Sequence, residues 1–121
     1  MVRVVIYDIT PCTKPRMTRG DKYQKRPRGN KYRAFKEECQ LRKMKIPLSG
    51  AHIIFYIPMA KSWSDKKRKA MWNTPHQQTP DIDNLIKACL DSVYSDDSKV
   101  WDIRGTKKWA YTGSIEIRET T

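Results

Sequence analysis

The order of apolar patterns along the chain predicts an α+β (α/β) fold, in which a mixed β-sheet is packed by two main helices. Two observations lead to this prediction. Runs of β-branched and aromatic residues bounded by Pro or Gly are typical of strands, and two longer segments place apolar residues at steps of three and four, as helices packed on a sheet do. The predicted order is β, α, β, helix, β, β. A length of 121 residues suits one small domain over residues 1–121.

The first half of the chain alternates strand and helix patterns around a basic segment. Val2–Ile9 is predicted to be a strand, because β-branched residues dominate it and a Thr-Pro pair ends it. Residues 12–31 contain eight basic residues, two Pro and two Gly, and predict a long flexible loop that either closes over DNA or stays a solvated arm. An amphipathic helix is predicted over Lys31–Lys45, and the strongly apolar Ala51–Ile57 predicts a central strand.

The second half contains two further predicted helices and the closing strands. Ser64 is predicted to cap a short basic helix that runs to Trp72. Another helix is predicted from Pro80 onward, because proline favours the first turn and apolar residues follow at helical spacing, namely Leu85, Cys89, Leu90 and Val93. Closing strands are predicted in residues 100–103, 107–111 and 114–118, with turns at Gly105 and Gly113 and a final hairpin.

Charge is distributed unevenly along this basic chain, whose formal net charge is +12. Residues 1–46 carry fourteen Lys or Arg against four acids, and residues 61–70 carry five against one, whereas residues 71–121 carry six against eight. The basic part predicts a phosphate-rich partner such as DNA. Because carboxylates repel DNA, the acidic part needs another explanation. A divalent cation that bridges to phosphate is the simplest one, since it reverses the local sign of the charge.

The acidic part begins with Asp81 and Asp83, at the start of the helix predicted from Pro80. If both lie in an extended lead into that helix, their side chains share one side, as two ligands of a cation must. Asp96 and Asp97 follow the helix and would complete a set of oxygen ligands for Mg²⁺. The competing interpretation is that Asp81 and Asp83 only cap the helix, while Asp83 and Lys87 form an exposed pair that contributes about 0.2–0.5 kcal/mol.

The short basic helix directly precedes the acidic segment in sequence, and it is predicted to bind the DNA backbone beside it. Trp63 or Trp72 would either stack on an unpaired base or dock this helix onto the domain. The predicted DNA-binding residues, in this helix and in the basic loop, are Lys61, Lys66, Lys67, Arg68, Lys69, Arg26, Arg28 and Lys31.

The cysteines and the short apolar runs argue against a disulfide-rich, a zinc-binding or a membrane protein. Three cysteines at wide spacing with only two histidines indicate neither a disulfide framework nor a zinc site, and we expect reduced thiols with Cys89 in the core. His52, inside the central strand, is expected to be a sheet histidine rather than a ligand. No apolar run approaches the ~18 residues of a membrane span and no secretory signal is visible, so we expect a cytoplasmic protein without a membrane partner.

The acidic segment resembles the RusA family of Holliday junction resolvases (crossover junction endodeoxyribonucleases), which are common in bacteriophages and prophages. The resemblance rests on a compound motif, Pro80-Asp81-Ile82-Asp83-Asn84-Leu85-Ile86-Lys87, at a fixed distance from Asp96-Asp97 and preceded by Pro75-His76. Residues 57–64 and 115–117 are also similar to phage members, so the likeness covers about residues 51–119. The basic loop is not aligned with the family.

This resemblance implies a homodimer that binds four-way DNA junctions and resolves them by paired symmetric nicks with Mg²⁺ or Mn²⁺, in the recombination and repair of DNA in a bacterial cell. It implies that Asp81, Asp83 and Asp97 are catalytic metal ligands, that Asp96 lies beside the last of them, and that Lys87 is the essential lysine. A junction with two-fold symmetry needs two nicks, and a chain with one acidic cluster supplies them as a symmetric pair. A general flap or fork nuclease and a non-catalytic basic DNA-binding protein remain the alternatives.

Overall fold

The computed structural model describes residues 2–14 and 27–120, and in that part of the chain it contains four strands and three helices. In chain order they are β1 (Val2–Tyr7), α1 (Pro27–Leu41), β2 (Ala51–Pro58), α2 (Asp65–Met71), α3 (Ile82–Val93), β3 (Ile103–Ala110) and β4 (Ser114–Thr120). The predicted fold class is confirmed: α1 and α3 pack together on a mixed four-stranded sheet. Among the described residues, no helix has the length and apolar character needed to cross a membrane.

The strands are arranged in the order β1-β4-β2-β3, so β2 lies inside the sheet as predicted. β2 pairs in parallel with β3 and antiparallel with β4, which also pairs antiparallel with β1. The predicted final hairpin is therefore wrong, because β3 and β4 lie on opposite sides of β2. A parallel pair requires a crossover connection, and the chain between β2 and β3, which includes α2 and α3, provides it.

The hydrophobic core lies between the sheet and the two longer helices. Ile53 and Phe55 alternate along β2 toward the helices and are fully buried. Leu85 and Cys89 of α3 are also fully buried and belong to the same cluster as Cys39 of α1. The predicted burial of Cys89 is confirmed, and its thiol is free. Because the buried stripe of Leu85 and Cys89 fixes the rotation of α3 about its axis, it also decides which residues of the helix reach solvent.

Helix α1 begins and ends four residues before the predicted range. It begins at Pro27, since the fixed φ and the missing N–H of proline suit the first turn of a helix. The predicted basic loop therefore extends too far, and its residues 15–26 lie outside the described residues. The helix ends at Leu41, shortly before Lys43 adopts a left-handed backbone conformation (φ 53°) that turns the chain away from the helix axis.

The outer edge of β3 is covered by the segment that leaves α2. The backbone N–H of Asn73 donates to the carbonyl of Trp109 (2.8 Å), and the N–H of Trp109 donates to the carbonyl of Thr74 (3.0 Å). The N–H of His76 donates to the carbonyl of Lys107 (3.0 Å). This segment is therefore tied to β3 up to the point where the chain turns toward α3.

Gly105 lies inside β3, where α3 packs on the strand. The predicted turn at this glycine is wrong, because the two strands predicted on either side of it are one strand. A Cβ atom at this position would lie 2.8 Å from Cδ1 of Ile86 and 3.0 Å from Cδ1 of Ile82. The absence of a side chain therefore lets the first turns of α3 pack directly on β3, which sets the distance between the start of the helix and the sheet.

Replacement of Gly105 by Val should lower the free energy of unfolding by about 1–3 kcal/mol, because added atoms in a packed interior would force Ile82 and Ile86 to move. Arg104→Val is the matched control, since Arg104 is exposed and lies on the other face of the same strand. Urea denaturation of the wild type and both variants measures the difference. Equal stability of the two variants would contradict the close packing of α3 on β3.

Candidate active site

The start of α3 carries two exposed carboxylates. Asp81 is the N-cap residue and has an extended backbone (φ −73°, ψ 143°), but its side chain makes no capping hydrogen bond. The interpretation of Asp81 as a side-chain cap is therefore wrong, and its carboxylate stays available to a ligand. Asp83 lies in the first turn of the helix, so the predicted extended lead contains only the first of the two acids.

Lys87 lies one turn after Asp83 on α3, and it contacts Asp97 in the loop that follows the helix. The Lys87 Nζ atom is 3.4 Å from Oδ2 of Asp97. Tyr94, at the end of α3, donates its hydroxyl to the carbonyl of Ile46 and so fixes the point where this loop begins. The fold thus brings Asp97 to the helix face that carries Lys87. Among the described residues, Lys87 forms its ion pair with Asp97 and not with Asp83.

Asp96 precedes Asp97 in the same loop and is exposed. Its Oδ1 atom accepts a hydrogen bond from the backbone N–H of Ser98 (3.0 Å), and this bond lowers the pKa of the Asp96 carboxyl group. A carboxyl group with a lowered pKa stays ionised over a wider range of pH. Asp96 is therefore a source of negative charge next to Asp97.

Across residues 2–14 and 27–120, the structure assembles no group of three or more carboxylate, histidine or cysteine side chains able to hold a metal ion. The predicted ligands Asp81, Asp83, Asp96 and Asp97 are thus not gathered into a closed site. Their chemistry nevertheless fits Mg²⁺, which takes oxygen ligands and is commonly held by one or two carboxylates together with water and substrate phosphates. The assignment of these residues to a metal stays a prediction.

Asp91 shares a helix face with Asp83 and Lys87 but has structural contacts. Lys14 forms an ion pair with its Oδ2 atom (2.7 Å), and the hydroxyl of Tyr32 donates to the same oxygen (3.4 Å). Burial together with the negative charge of Asp91 raises the pKa of Tyr32 to about 12. Asp91 therefore links α3 to Tyr32 of α1 and to Lys14, in the segment that follows β1.

Lys107 is a feature of the site that the sequence interpretation missed. Its ammonium group donates to the backbone carbonyls of Gln78 (2.7 Å) and Pro80 (2.8 Å), in the loop that leads to Asp81. A usable signal was present, because strand alternation puts this lysine on the same face of β3 as Gly105 and the buried Trp109. A lysine on the face that packs against helices needs a specific polar partner.

The basic helix α2 begins as predicted at Ser64, whose hydroxyl oxygen accepts a hydrogen bond from the backbone N–H of Lys67 (3.2 Å). None of its residues is buried. The ring of Trp63 lies 4.8 Å from that of Trp109, so Trp63 docks the helix onto the domain. Trp72, in contrast, is 54% exposed at the end of α2. The two tryptophans thus differ, and only Trp72 presents much of its ring to a ligand.

The predicted DNA-binding residues are described to different extents. Lys61, Lys66, Lys67, Lys69 and Lys31 are exposed, whereas Arg68 is half-buried. The guanidinium group of Arg68 lies 5.3 Å from the ring centroid of Tyr111, and the ammonium group of Lys67 lies 4.0 Å from that of Trp63. Arg26 lies outside the described residues, and Arg28 is described only as part of the backbone of α1.

His76 is buried, and in sequence it lies between this basic helix and the start of α3. Its ring lies 4.2 Å from the ring of Trp109, and within the described residues its Nδ1 atom has no hydrogen-bond partner. Burial and the charge of Lys107 lower the pKa of His76 below its ordinary value of 6.5. The pKa of His52 is also lowered, by partial burial and by Arg104 and Arg118. His52 bonds to Thr106 (2.8 Å), as expected of a sheet histidine.

A small α+β domain that carries exposed carboxylates at a helix start, with a basic helix tied to the neighbouring strand, has the features of an enzyme that acts on nucleic acid. A family model described as Endodeoxyribonuclease RusA matches residues 7–119. The chain belongs to this family. The match extends toward the N-terminus beyond residues 51–119, where the resemblance was seen, so it also covers the basic loop, α1 and the end of β1. A search of curated proteins finds no match.

The free energy of unfolding should decrease as the pH falls below about 6.5, because the unfolded chain then binds protons that the folded protein, with lowered histidine pKa values, does not. His76→Gln should make this decrease smaller, since it removes one of the two responsible groups. Urea denaturation at pH 8, 7, 6 and 5 measures the effect. An unchanged pH dependence in His76→Gln would contradict the lowered pKa of His76.

Proposed function

We propose that this protein is a Mg²⁺-dependent endodeoxyribonuclease that resolves four-way DNA junctions by paired symmetric nicks, with Mn²⁺ as a substitute ion. The observation that carries the proposal is the arrangement around α3. Asp81 and Asp83 are exposed at the start of the helix, and Lys87, one turn after Asp83, contacts Asp97 in the following loop. Membership of the RusA endodeoxyribonuclease family supports the same reaction class.

Asp81, Asp83 and Asp97 are the proposed metal ligands, and Asp96 adds negative charge beside them. The bound ion would supply Lewis-acid chemistry, in which phosphate charge is neutralised and a water is activated. The chain holds only part of the ligand set, so the phosphate of the substrate is expected to complete it. Binding of DNA and metal at this site would then reinforce each other.

Lys87 is proposed to contact an oxygen of the scissile or a neighbouring phosphate. Its contact with Asp97 is between partly exposed groups, and such pairs contribute only about 0–1 kcal/mol. A phosphate can therefore replace Asp97 as the partner of Lys87 at little cost, which also frees the carboxylate. The ammonium group would then offset negative charge that develops in the transition state.

DNA is proposed to approach along α2, whose exposed lysines Lys66, Lys67 and Lys69 are available to phosphates. The segment after α2 is hydrogen-bonded to β3 and leads to the loop held by Lys107. The basic helix is therefore connected to Asp81 by a segment that is hydrogen-bonded to β3. The exposed Trp72 lies between the two regions in sequence, where a ring can stack on an unpaired base.

Asp83→Asn should reduce nicking of a labelled four-way junction by more than about 100-fold, in line with the loss of one group that stabilises a transition state. Junction binding measured without Mg²⁺ should stay equal or become slightly tighter, because phosphate repulsion decreases. Asp91→Asn is the matched control, since it makes the same change on the same helix face away from the proposed ligands. Gel assays of nicking and binding with and without Mg²⁺ measure both quantities.

The same assay, extended to forks, flaps and linear duplex, tests the proposed substrate. Faster nicking of the four-way junction than of the other forms supports a junction resolvase. Equal rates on all branched forms would replace it with a general branched-DNA nuclease. Wild-type nicking by Asp83→Asn would refute the metal-site assignment.

The homodimer rests on the resemblance to junction resolvases and on the symmetry of the substrate. The strand containing Ile53 and Ile57 lies inside the sheet and Trp109 is buried, so neither is proposed as part of the dimer interface. Exposed apolar side chains of the kind that an interface needs are present elsewhere: Trp101 is 77% exposed, and Val2, Val4 and Ile6 are exposed along β1.

Sedimentation at micromolar concentration should give about twice the chain mass of 14.3 kDa if the active form is the two-fold dimer that the junction requires. Mixing wild type with Asp83→Asn should then yield heterodimers that nick one strand and stop. A protein that sediments as a monomer at all concentrations and still nicks both strands would rule out the symmetric mechanism.

A further inference from the structure

The loop of residues 77–80 has little burial to hold it in place. Gln77, Gln78 and Thr79 are exposed, and Pro80 is only half-buried. Polar loops with few buried apolar contacts open easily unless hydrogen bonds restrain them. Yet this loop ends at Asp81, whose carboxylate must be in a defined place if it is to act as a ligand.

Two charge-assisted hydrogen bonds supply the restraint. The Lys107 Nζ atom lies 2.7 Å from the carbonyl oxygen of Gln78 and 2.8 Å from that of Pro80, so one ammonium group holds the loop at two points. Hydrogen bonds from a charged donor are stronger than neutral ones. The second carbonyl belongs to the peptide bond that joins Pro80 to Asp81, and the restraint therefore acts directly on the backbone of the proposed ligand.

The strand that carries Lys107 is itself fixed. The Lys107 carbonyl accepts a hydrogen bond from the backbone of His76, and two residues earlier Gly105 contacts the first turns of α3 through Ile82 and Ile86. Strand β3 thus holds the chain on both sides of Asp81, before it through Lys107 and after it through Gly105.

We propose that Lys107 is a positioning residue of the metal-dependent site, which acts through the carbonyls of Gln78 and Pro80 to place Asp81. The role differs from that of Lys87, because Lys107 donates to the protein backbone rather than to a carboxylate at the site. The effect on nicking rests on the proposed function, whereas the effect on the loop does not.

The test compares Lys107→Met with Lys107→Arg and with Lys108→Met. Lys108 is the matched control, because it is the next residue of β3 and its side chain lies on the other face of the sheet. Lys107→Met should nick the junction about 10- to 100-fold more slowly, with unchanged junction affinity in the absence of divalent ions, since misplacement by about 1 Å can cost about 100-fold. Lys107→Arg, which can still donate to two carbonyls, should nick faster than Lys107→Met, and Lys108→Met should nick as the wild type does.

Two measurements without DNA separate positioning from loss of fold and from failure of the proposed function. Hydrogen exchange should become faster at residues 77–83 in Lys107→Met alone, while exchange in α1 and β2 stays as in the wild type. Mn²⁺ titration by calorimetry should show weaker binding in Lys107→Met than in Lys108→Met. If the exchange of this loop is unchanged in Lys107→Met, or if Lys107→Met and Lys108→Met bind Mn²⁺ and nick equally well, the inference is overturned. Absence of nicking by the wild type overturns the proposed function, and the exchange result still decides whether Lys107 holds the loop.

Discussion

The packing of α3 on β3 is the constraint on which the rest of the site depends. Gly105 allows Ile82 and Ile86 to lie against the strand, and the buried stripe of Leu85 and Cys89 sets the rotation of the helix. With position and rotation both determined, Asp83 and Lys87 are left on the side that solvent and substrate can reach. Because interiors are closely packed, a change at this contact would be transmitted to the carboxylates instead of being absorbed locally.

Strand β3 also connects the basic and acidic parts of the surface. On its outer edge it is hydrogen-bonded to the segment that follows α2, and through Lys107 it holds the loop before Asp81. Under the proposed function, the cations attract DNA and the carboxylates bind metal, and these two sets of charges weaken each other's function if they mix. Because the lysines of α2 and the carboxylates at the start of α3 are both attached to β3, the two sets of charges are kept apart and at a fixed relative position.

Most of the secondary structure could be predicted, and two of the errors, the final hairpin and the turn at Gly105, share one cause. Helix α3 and strand β2 have strong apolar periodicity, so their existence and burial followed from local patterns. The hairpin of the last two strands was predicted from adjacency in sequence, but β2 lies between them. Gly105 was assigned to a turn because glycine often marks one, although its role here is to make room for a helix from elsewhere in the chain.

The sequence by itself determined the candidate carboxylates, the basic helix with its Ser64 cap, the central apolar strand and the family resemblance. These follow from residue type and short-range spacing, which local backbone geometry converts directly into structure. Only the tertiary structure decided that Asp97 lies beside Lys87 and that the Asp81 side chain makes no capping hydrogen bond. It also decided that Trp63 is docked while Trp72 is exposed, and that Lys107 holds the loop. Each of these depends on which distant segment packs against which, and spacing along one chain does not specify that choice, because many pairings bury similar apolar area.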